Sequence, residues 1–222
     1  MFIGHYAVGF AAKKFAPRAS LGALLAAPLL LDFLWPVFLL LGWERVRIAP
    51  GNTVFTPLDF VSYPYSHSLL TTIGWATLFG LIYQLTAHYW PGTLMIWLGV
   101  VSHWLMDAVV HRPDLPLYPG GSTLVGLGLW NSPAATIAIE TALYLVGLWL
   151  YVRTTQPVDG IGKYGFWLFV ALIFLIYAAD AASPPPDVSE KTLALITLVF
   201  WLVVPLAWWL DRHRKVRAEG RA

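Results

Sequence analysis

Six long apolar stretches dominate the hydrophobic pattern of the chain, and short polar or proline-rich connections separate them. Each stretch approaches the length of about 20 residues that an α-helix needs to cross a bilayer. The stretches are 21–42, 67–87, 92–111, 131–152, 164–182 and 192–210. The pattern therefore predicts an all-α fold, namely a polytopic membrane helical bundle with about six transmembrane helices.

A shorter apolar segment precedes the first span. Residues 1–15 are too few to cross a bilayer, Pro17 ends the segment, and Lys13 and Lys14 anchor its end at the membrane surface. A short helix that dips into the bundle would carry His5 inward from Lys13 by roughly 12 Å. We predict a single transmembrane domain over residues 1–210, with this short N-terminal helix, and a basic cytoplasmic tail over 211–222.

The composition agrees with a membrane setting. Hydrophobic residues make up 58% of the 222 residues and charged residues only 12%, with a mean hydropathy of +0.65, which exceeds what a soluble domain carries. The formal charge of +2 is too small to indicate a nucleic-acid partner. Cysteine is absent, so disulfides and thiolate metal sites are excluded.

The basic residues sort unequally between the two sides of the predicted spans. Ten of the 14 fall on one side: Lys13, Lys14, Arg18, Arg153, Lys163, Arg212, Arg214, Lys215, Arg217 and Arg221. The other four are Arg45, Arg47, Arg112 and Lys191. Because Lys and Arg accumulate on the cytoplasmic side of a membrane, this division predicts that both termini are cytoplasmic.

The densest group of ionisable residues lies inside the third span. His103, Asp107 and His111 follow one another at intervals of four, so an α-helix places them on one face. Ionisable side chains at bilayer depth cost several kcal/mol each and usually face the interior of a bundle, where they pair, bind an ion or do chemistry. An embedded polar site is therefore the leading hypothesis.

Further polar residues fall at a similar depth and complete a candidate metal site. The candidate ligands are His5, Asp32, His67, His103 and Asp107. Three imidazoles and two carboxylates suit Zn, Mn, Fe or Ni. Three structural alternatives stay open: a hydrogen-bonded His103–Asp107 pair that locks helices together, an Asp32 that caps a helix broken by its flanking prolines, and a His67 that caps a helix start.

Other residues have candidate roles around this site. Glu140 lies in the middle of the fourth span. It is a residue that orients a ligand, a general base or the partner of a polar residue, and Asp59 is a second candidate for the base. His111 is expected at the outer water interface. We also predict that loops 43–66 and 112–131 fold over the site as a lid, where Arg45, Arg47, Arg112 and His111 bind an anionic substrate. Alternatively, these arginines contact lipid headgroups.

Four segments, in order, carry a resemblance to a known family. They are MFIGHYAVGF at 1–10, LDFLWP at 31–36, YSHS at 65–68 and SHWLMD at 102–107. The ordered set resembles the membrane-bound metal-dependent hydrolases of the LexA-regulated inner-membrane YdjM type, which are distantly similar to zinc-dependent phospholipase C. Uncharacterised bacterial membrane proteins that carry HRPDLP and GLGLWN, here at 111–116 and 126–131, are more similar still.

The resemblance implies a location, a cofactor and a reaction. It implies a multi-pass protein of the bacterial inner membrane and a divalent transition metal, Zn first with Mn or Fe as alternatives. The metal would be held by His5, Asp32, His67, His103 and Asp107. The implied activity is hydrolysis of a membrane lipid, a lipid-linked phosphoester or a small molecule.

One motif departs from the family pattern. The histidine of the second motif is commonly preceded by a His-Arg pair, but this chain has Ser62 and Tyr63 there. His111 and Asp59 are the two residues that could replace a missing ligand. Two other function classes remain open: an ion- or proton-coupled transporter whose path uses these carboxylates and histidines, and a noncatalytic scaffold. The lack of an internal repeat argues against a transporter.

Overall fold

The computed structural model describes residues 1–217 and confirms the all-α prediction. The helices are α1 (Ile3–Phe15), α2 (Leu21–Leu40), α3 (Pro64–His67), α4 (Leu69–Ala87), α5 (Trp90–Val110), α6 (Pro133–Thr154), α7 (Phe166–Ala182), α8 (Glu190–Thr197) and α9 (Val203–Arg212). A π-helical turn, Ile161–Gly165, leads into α7, and a 3₁₀ turn, Leu198–Leu202, joins α8 to α9. Three short antiparallel two-stranded sheets pair β1 (Arg45–Ile48) with β2 (Leu58–Ser62), β3 (Leu115–Pro116) with β4 (Leu124–Val125), and β5 (Thr155–Pro157) with β6 (Arg214–Val216).

Six helical segments are long and apolar enough to cross a membrane. They are Leu21–Leu40, Leu69–Ala87, Trp90–Val110, Pro133–Thr154, Ile161–Ala182 and Glu190–Arg212. They coincide with the six predicted spans to within a few residues at each end. The protein is therefore a multi-pass membrane protein.

The short helix α1 lies inside the bundle rather than on its surface. Most of its residues are buried, and it packs between α2 and α6. Glycines on both sides allow this close approach: a Cβ on Gly147 would lie 2.3 Å from the Ala7 carbonyl oxygen, and one on Gly9 would lie 2.7 Å from the Leu24 carbonyl oxygen. Small residues at such contacts let helix backbones pack tightly without water.

The carboxylate of Asp211 ties together the end of the bundle where α1 stops. It accepts hydrogen bonds from Lys13 Nζ (2.8 Å), from the Leu21 amide (3.1 Å) and from the Tyr151 hydroxyl (3.1 Å). Of the tail predicted at 211–222, residues 211–217 pack here through the end of α9 and through β6, which pairs with β5. Residues 218–222, which include Arg221, lie outside the described part of the chain.

The opposite end of the bundle is covered by two loops, which we call the lid and which comprise residues 43–63 and 112–131. The first carries the β1–β2 hairpin and the second the β3–β4 hairpin. Arg112 joins them, because its guanidinium contacts Asp59 on β2 (2.5 Å) and Asp114 in its own loop (3.0 Å). These ion pairs connect the two loops of the lid to each other.

Candidate metal centre

The five candidate ligands converge beneath the lid. They come from four elements: His5 from the start of α1, Asp32 from α2, His67 from the end of α3, and His103 with Asp107 from α5. All but Asp32 are nearly or fully buried. The Asp32 side chain is 45% exposed and faces a cavity, so the cluster has one open side.

The donor atoms of these residues face one another. His103 Nε2 lies 3.0 Å from Asp107 Oδ2 and 3.2 Å from His67 Nε2. His5 Nε2 lies 3.2 Å from Asp107 Oδ1, which also accepts a hydrogen bond from the amino group of Met1. Asp32 Oδ1 lies 3.7 Å from His67 Nε2 and 3.8 Å from His103 Nε2. Two ligand atoms that each lie about 2.1 Å from one ion are about 3 to 4 Å apart, so these separations suit coordination.

The ring of His103 is oriented by a backbone group of another helix. Its Nδ1 lies 2.7 Å from the carbonyl oxygen of Pro28 on α2. A carbonyl only accepts hydrogen bonds, so Nδ1 carries the proton and Nε2 presents a lone pair. Outer-shell bonds of this kind fix the tautomer of metal-binding histidines.

The ring of His67 is fixed by a relay of two residues. Ser66 Oγ lies 2.7 Å from His67 Nδ1 and 2.7 Å from Glu44 Oε2. The carboxylate accepts the hydroxyl proton, so the hydroxyl accepts in turn from His67 Nδ1–H and leaves Nε2 with a lone pair. Glu44 Oε1 accepts the amides of Tyr65 and Ser66 at the start of α3. Burial raises the pKa of the Glu44 carboxyl above its ordinary value, and the hydrogen bonds from Ser66 act in the opposite direction.

The hydrogen-bonding state of the facing His67 and His103 nitrogens indicates whether a metal ion fits between them. Both rings carry their proton on Nδ1, so two lone pairs meet at 3.2 Å. Such a contact is unfavourable unless a cation or a proton lies between the nitrogens. The fully buried His5 adds to this picture, because neither of its ring nitrogens has a hydrogen-bond partner among the described residues. Buried polar atoms are normally satisfied, so the donor set fits a bound cation.

His111 differs from its predicted position at the water interface. Its side chain is buried and packs against the Trp130 ring, with ring centroids 4.3 Å apart. Nδ1 lies 2.9 Å from Asp114 Oδ1, which also accepts the Tyr63 hydroxyl at 2.8 Å. Burial alone would raise the pKa of Asp114, but its bonds to His111, Tyr63 and Arg112 outweigh burial and hold that pKa below its ordinary value.

Glu140 caps the helix that carries His5. Its Oε2 accepts the amides of Phe2 (2.8 Å) and Gly4 (3.2 Å) at the start of α1. These are among the amides that a helix leaves without an internal partner. The buried Oε1 has no hydrogen-bond partner among the described residues, and Glu140 lines the same cavity as Asp32. The sequence suggested Glu140 as a general base or as a residue that orients a ligand, but not its capping role.

Asp59 does not fit its predicted role as a general base. Its Oδ2 binds the guanidinium of Arg47 at 2.7 Å, and its Oδ1 binds that of Arg112 at 2.5 Å. Both carboxylate oxygens are therefore occupied by charge-assisted bonds from guanidinium groups. Asp59 therefore acts as a latch of the lid, because it joins Arg47 in the first loop to Arg112 in the second. It is not among the described residues that line the cavity.

The cavity between the cluster and the lid has a volume of about 190 Å³. Its polar end is formed by Asp32, His67, Asp107, His111 and Glu140. Its apolar wall includes Phe2, Leu29, Phe33, Phe55, Leu58, Phe60, Trp130 and Phe200. Phe55, Leu58, Phe60 and Trp130 belong to the lid, so both predicted loops cover the site.

The three arginines that were predicted to bind substrate do not lie in the cavity. None of Arg45, Arg47 and Arg112 is among the described residues that line the cavity. Arg47 and Arg112 bind Asp59 instead, and Arg45 is exposed on the surface. Of the four predicted substrate-binding residues, only His111 lines the cavity.

None of the three structural roles considered for the candidate ligands agrees with the observed contacts. Helix α2 runs unbroken through Pro28 and Pro36, so Asp32 does not cap a break. Ser68, not His67, caps α4, because its Oγ accepts the Thr71 amide. His103 and Asp107 lie on one helix, so their mutual contact does not join two helices.

No protein-family model, curated protein or solved structure matches this chain. The resemblance to the YdjM-type hydrolases therefore stays a prediction.

Few signals in the sequence indicated which residues orient the candidate ligands. Glu44 adjoins Arg45 and reads as a surface charge, and Ser66 reads as a helix-start residue. Asp114 lies three residues after His111, and this short spacing was the one feature of the sequence that indicated their contact.

Proposed function

We propose that this protein is a membrane-embedded metal-dependent hydrolase that acts on a lipid or a lipid-linked phosphoester. The observation that carries the proposal is the pair of His67 and His103 Nε2 atoms, whose lone pairs face each other at 3.2 Å beside Asp107. Helix packing alone does not favour this contact, whereas a shared cation stabilises it.

The cavity supports a substrate with an apolar part. One end carries the candidate ligands, and the remaining wall is largely aromatic and aliphatic. Binding sites of this kind bury an apolar body and use a few polar groups to fix its orientation. A lipid whose ester lies at the polar end and whose chain lies along the apolar wall matches this division.

The residues present define the chemistry that the site can support. A divalent transition ion, Zn²⁺ first with Mn²⁺ or Fe²⁺ as alternatives, would supply Lewis-acid polarisation of a phosphoester and of an attacking water. Glu140 Oε1, which has no hydrogen-bond partner among the described residues, would take a proton from an attacking water. The water oxygen would form a new bond to phosphorus as the ester P–O bond breaks, and the departing alkoxide would take up the proton held by Glu140.

We further propose the bacterial inner membrane as the location, with both termini in the cytoplasm and the lid on the exoplasmic side. The unequal division of basic residues supports this orientation. The lid end of the described chain carries the smaller group of four basic residues. Substrate would then enter the cavity from the outer leaflet.

Metal analysis combined with a hydrolysis assay tests the proposal. The protein is purified in detergent without chelator, its metal content is measured, and it is incubated with phospholipids and with a polyprenyl diphosphate. The expected result is bound transition metal and release of a phosphorylated headgroup or inorganic phosphate, lost after chelation and restored by Zn²⁺ or Mn²⁺. Metal-free protein that drives proton flux in liposomes would instead indicate the transporter. Protein without metal, turnover or flux would indicate the scaffold.

A further inference from the structure

The cavity beneath the lid extends sideways between two of the membrane spans. One wall is α7, which contributes Asp180, and the other is the segment Glu190–Arg212, which contributes Thr197 and Phe200. Helices α7 and α8 make few contacts with each other in the described chain. We call the space between α7 and this segment the cleft. It connects the cavity with the surface that the two spans present to the membrane.

The two walls of the cleft are held by different helices. On one side, the Tyr144 hydroxyl on α6 donates a hydrogen bond to the Val170 carbonyl oxygen on α7 at 3.0 Å. On the other side, Trp201 Nε1 donates to the Phe33 carbonyl oxygen on α2 at 3.2 Å. The walls approach each other at the end away from the lid, where a Cβ on Gly165 would lie 3.3 Å from a side chain of α9. The cleft therefore widens toward the lid.

The depth of the cleft matches one leaflet of a bilayer. Measured along the helix axes, Asp180 lies roughly 3 Å inside the lid-side end of α7. Thr197 and Phe200 lie roughly 10 and 15 Å inside the lid-side end of the opposite wall. Because the apolar core of a bilayer is about 30 Å thick, the cleft runs from the lid-side interface to the midplane.

The upper rim of the cleft is polar. Asp180 is exposed there and lines the cavity. A charged carboxylate on a membrane span is costly against acyl chains, whereas water or a polar headgroup at the same level stabilises it. The rim therefore suits the passage of a headgroup, and the apolar walls below it suit a hydrocarbon chain.

Aromatic rings narrow the inner end of the cleft. The Phe2 ring lies between the walls, with its centroid 5.9 Å from that of Tyr177 on α7 and 5.5 Å from that of Phe200. Phe200 belongs to the 3₁₀ turn Leu198–Leu202, which interrupts the sixth span. A 3₁₀ stretch in the middle of a helix often marks a hinge. A small shift of this turn would separate Phe200 from Phe2 and widen the passage to the cavity.

We propose that the cleft is a lateral portal for a membrane lipid, whose headgroup passes Asp180 into the cavity while its acyl chains stay between α7 and the sixth span. The lid covers the cavity from the water side with Phe55, Phe60 and Trp130, so the cleft offers a route that does not require the lid to open. The portal rests on the proposed function. It narrows the substrate to a lipid that resides in the bilayer, rather than a water-soluble phosphoester.

Photocrosslinking tests the portal without relying on activity. The full chain is placed in vesicles of phosphatidylethanolamine and phosphatidylglycerol that contain a phosphatidylglycerol with a photoreactive diazirine on one acyl chain. Mass spectrometry then maps the crosslinked residues. Wild-type protein should crosslink at Leu29 and Phe33, which line the cavity and are only 4% and 7% exposed. Lipids that merely surround the bundle do not reach these side chains.

A bulky side chain in the cleft should block the lipid. Thr197→Trp should lower the yield of the Leu29 and Phe33 crosslinks about tenfold or more, because overpacking of this space costs at least about 1.4 kcal/mol. Leu195→Trp is the matched control on the same helix, since Leu195 is 53% exposed and is not among the described residues that line the cavity. Its yield should equal that of wild type. Phe200→Ala, which removes a ring from the inner end, should raise the yield.

Hydrolysis by the same variants tests whether the route serves the reaction. Thr197→Trp should slow hydrolysis of a long-chain phospholipid in vesicles about tenfold, and it should change hydrolysis of a soluble dibutanoyl phospholipid by less than about twofold. An equal loss on both substrates would show that the tryptophan blocks the cavity itself, which overturns the portal.

The crosslinks separate the portal from the proposed function. Crosslinks confined to exposed side chains, in a protein that hydrolyses lipid, overturn the portal and leave the hydrolase standing. Crosslinks at Leu29 and Phe33 that Thr197→Trp removes, in a protein without turnover, support the portal and overturn the hydrolase. If Thr197→Trp does not fold, the Phe200→Ala result decides, and a yield no higher than that of wild type overturns the portal.

Discussion

His103 Nδ1 on α5 donates a hydrogen bond to the Pro28 carbonyl oxygen on α2 at 2.7 Å, so one helix backbone orients a candidate ligand on another. The approach of the two helices depends on Gly99, one turn before His103, because a Cβ there would lie 3.0 Å from Ala27 Cβ. The position of this candidate ligand is thus coupled to a single interhelical contact.

Gly99→Val should therefore weaken metal binding. The added side chain pushes α5 away from α2 and lengthens the bond between His103 and Pro28, which should reduce Zn²⁺ affinity about 10- to 100-fold in a competition assay. Gly74→Val is the matched control, since a Cβ at Gly74 meets nothing within 4 Å. Equal losses in both variants would show that the contact with α2 does not matter.

Removal of either central ligand should abolish stoichiometric metal. His103→Ala and Asp107→Ala each delete an atom of the 3.0 Å contact, and elemental analysis of the purified variants should find less than about a tenth of the wild-type metal. Gel filtration and thermal melting show whether each variant is folded. A folded variant with full metal content would refute the assignment of that residue.

Two substitutions at Glu140 separate its proposed roles. Glu140→Gln keeps an oxygen that can accept the Phe2 and Gly4 amides, so metal content should persist while hydrolysis falls about 100-fold or more through loss of the base. Glu140→Ala leaves those amides unpaired and should also lower the free energy of unfolding by about 1–3 kcal/mol. Asp187→Asn, at an exposed position, is the control. Full activity of Glu140→Gln would remove Glu140 as the base.

The latch at Asp59 should control the mobility of the lid. Arg112→Ala breaks contacts to both Asp59 and Asp114, and hydrogen exchange of residues 43–63 and 112–131 should become faster than in wild type. Arg45→Ala, which changes an exposed side chain, should leave the exchange unchanged. Identical exchange in Arg112→Ala and wild type would show that the ion pairs do not hold the lid closed.

Single cysteines can test the orientation, because the natural chain has none. Cysteines at Asn52 and Pro185 should react with a membrane-impermeant maleimide on intact spheroplasts, and one at Lys163 should react only after lysis. Reporter fusions after Lys163 and after Arg221 should likewise read cytoplasmic. Labelling of Lys163→Cys on intact spheroplasts would reverse the orientation and place the site on the cytoplasmic side.

Local patterns in the sequence were enough to predict the spans and part of the candidate metal cluster. Crossing a bilayer requires long apolar helices, so their number and approximate ends follow from hydrophobicity alone. The contact between His103 and Asp107 follows from helical periodicity, since residues four apart share a face. Depth estimates brought His5 and Asp32 near the same level, because the rise per residue of a helix is fixed.

Tertiary packing decided the roles of the surrounding charges. Glu140 lies 138 positions from Phe2, yet its carboxylate caps α1 because that helix inserts between α2 and α6. Asp59 forms an ion pair with Arg112, which is 53 positions away. The ring of His67 is oriented by Ser66, whose hydroxyl binds Glu44, 22 positions away from Ser66. Whether a carboxylate oxygen is paired or available depends on its neighbours in space. Local sequence does not specify neighbours that are this distant along the chain. The sequence by itself thus determined which segments cross the membrane and which residues could be ligands, whereas only the packed bundle decided which carboxylates stay open to a metal or a proton.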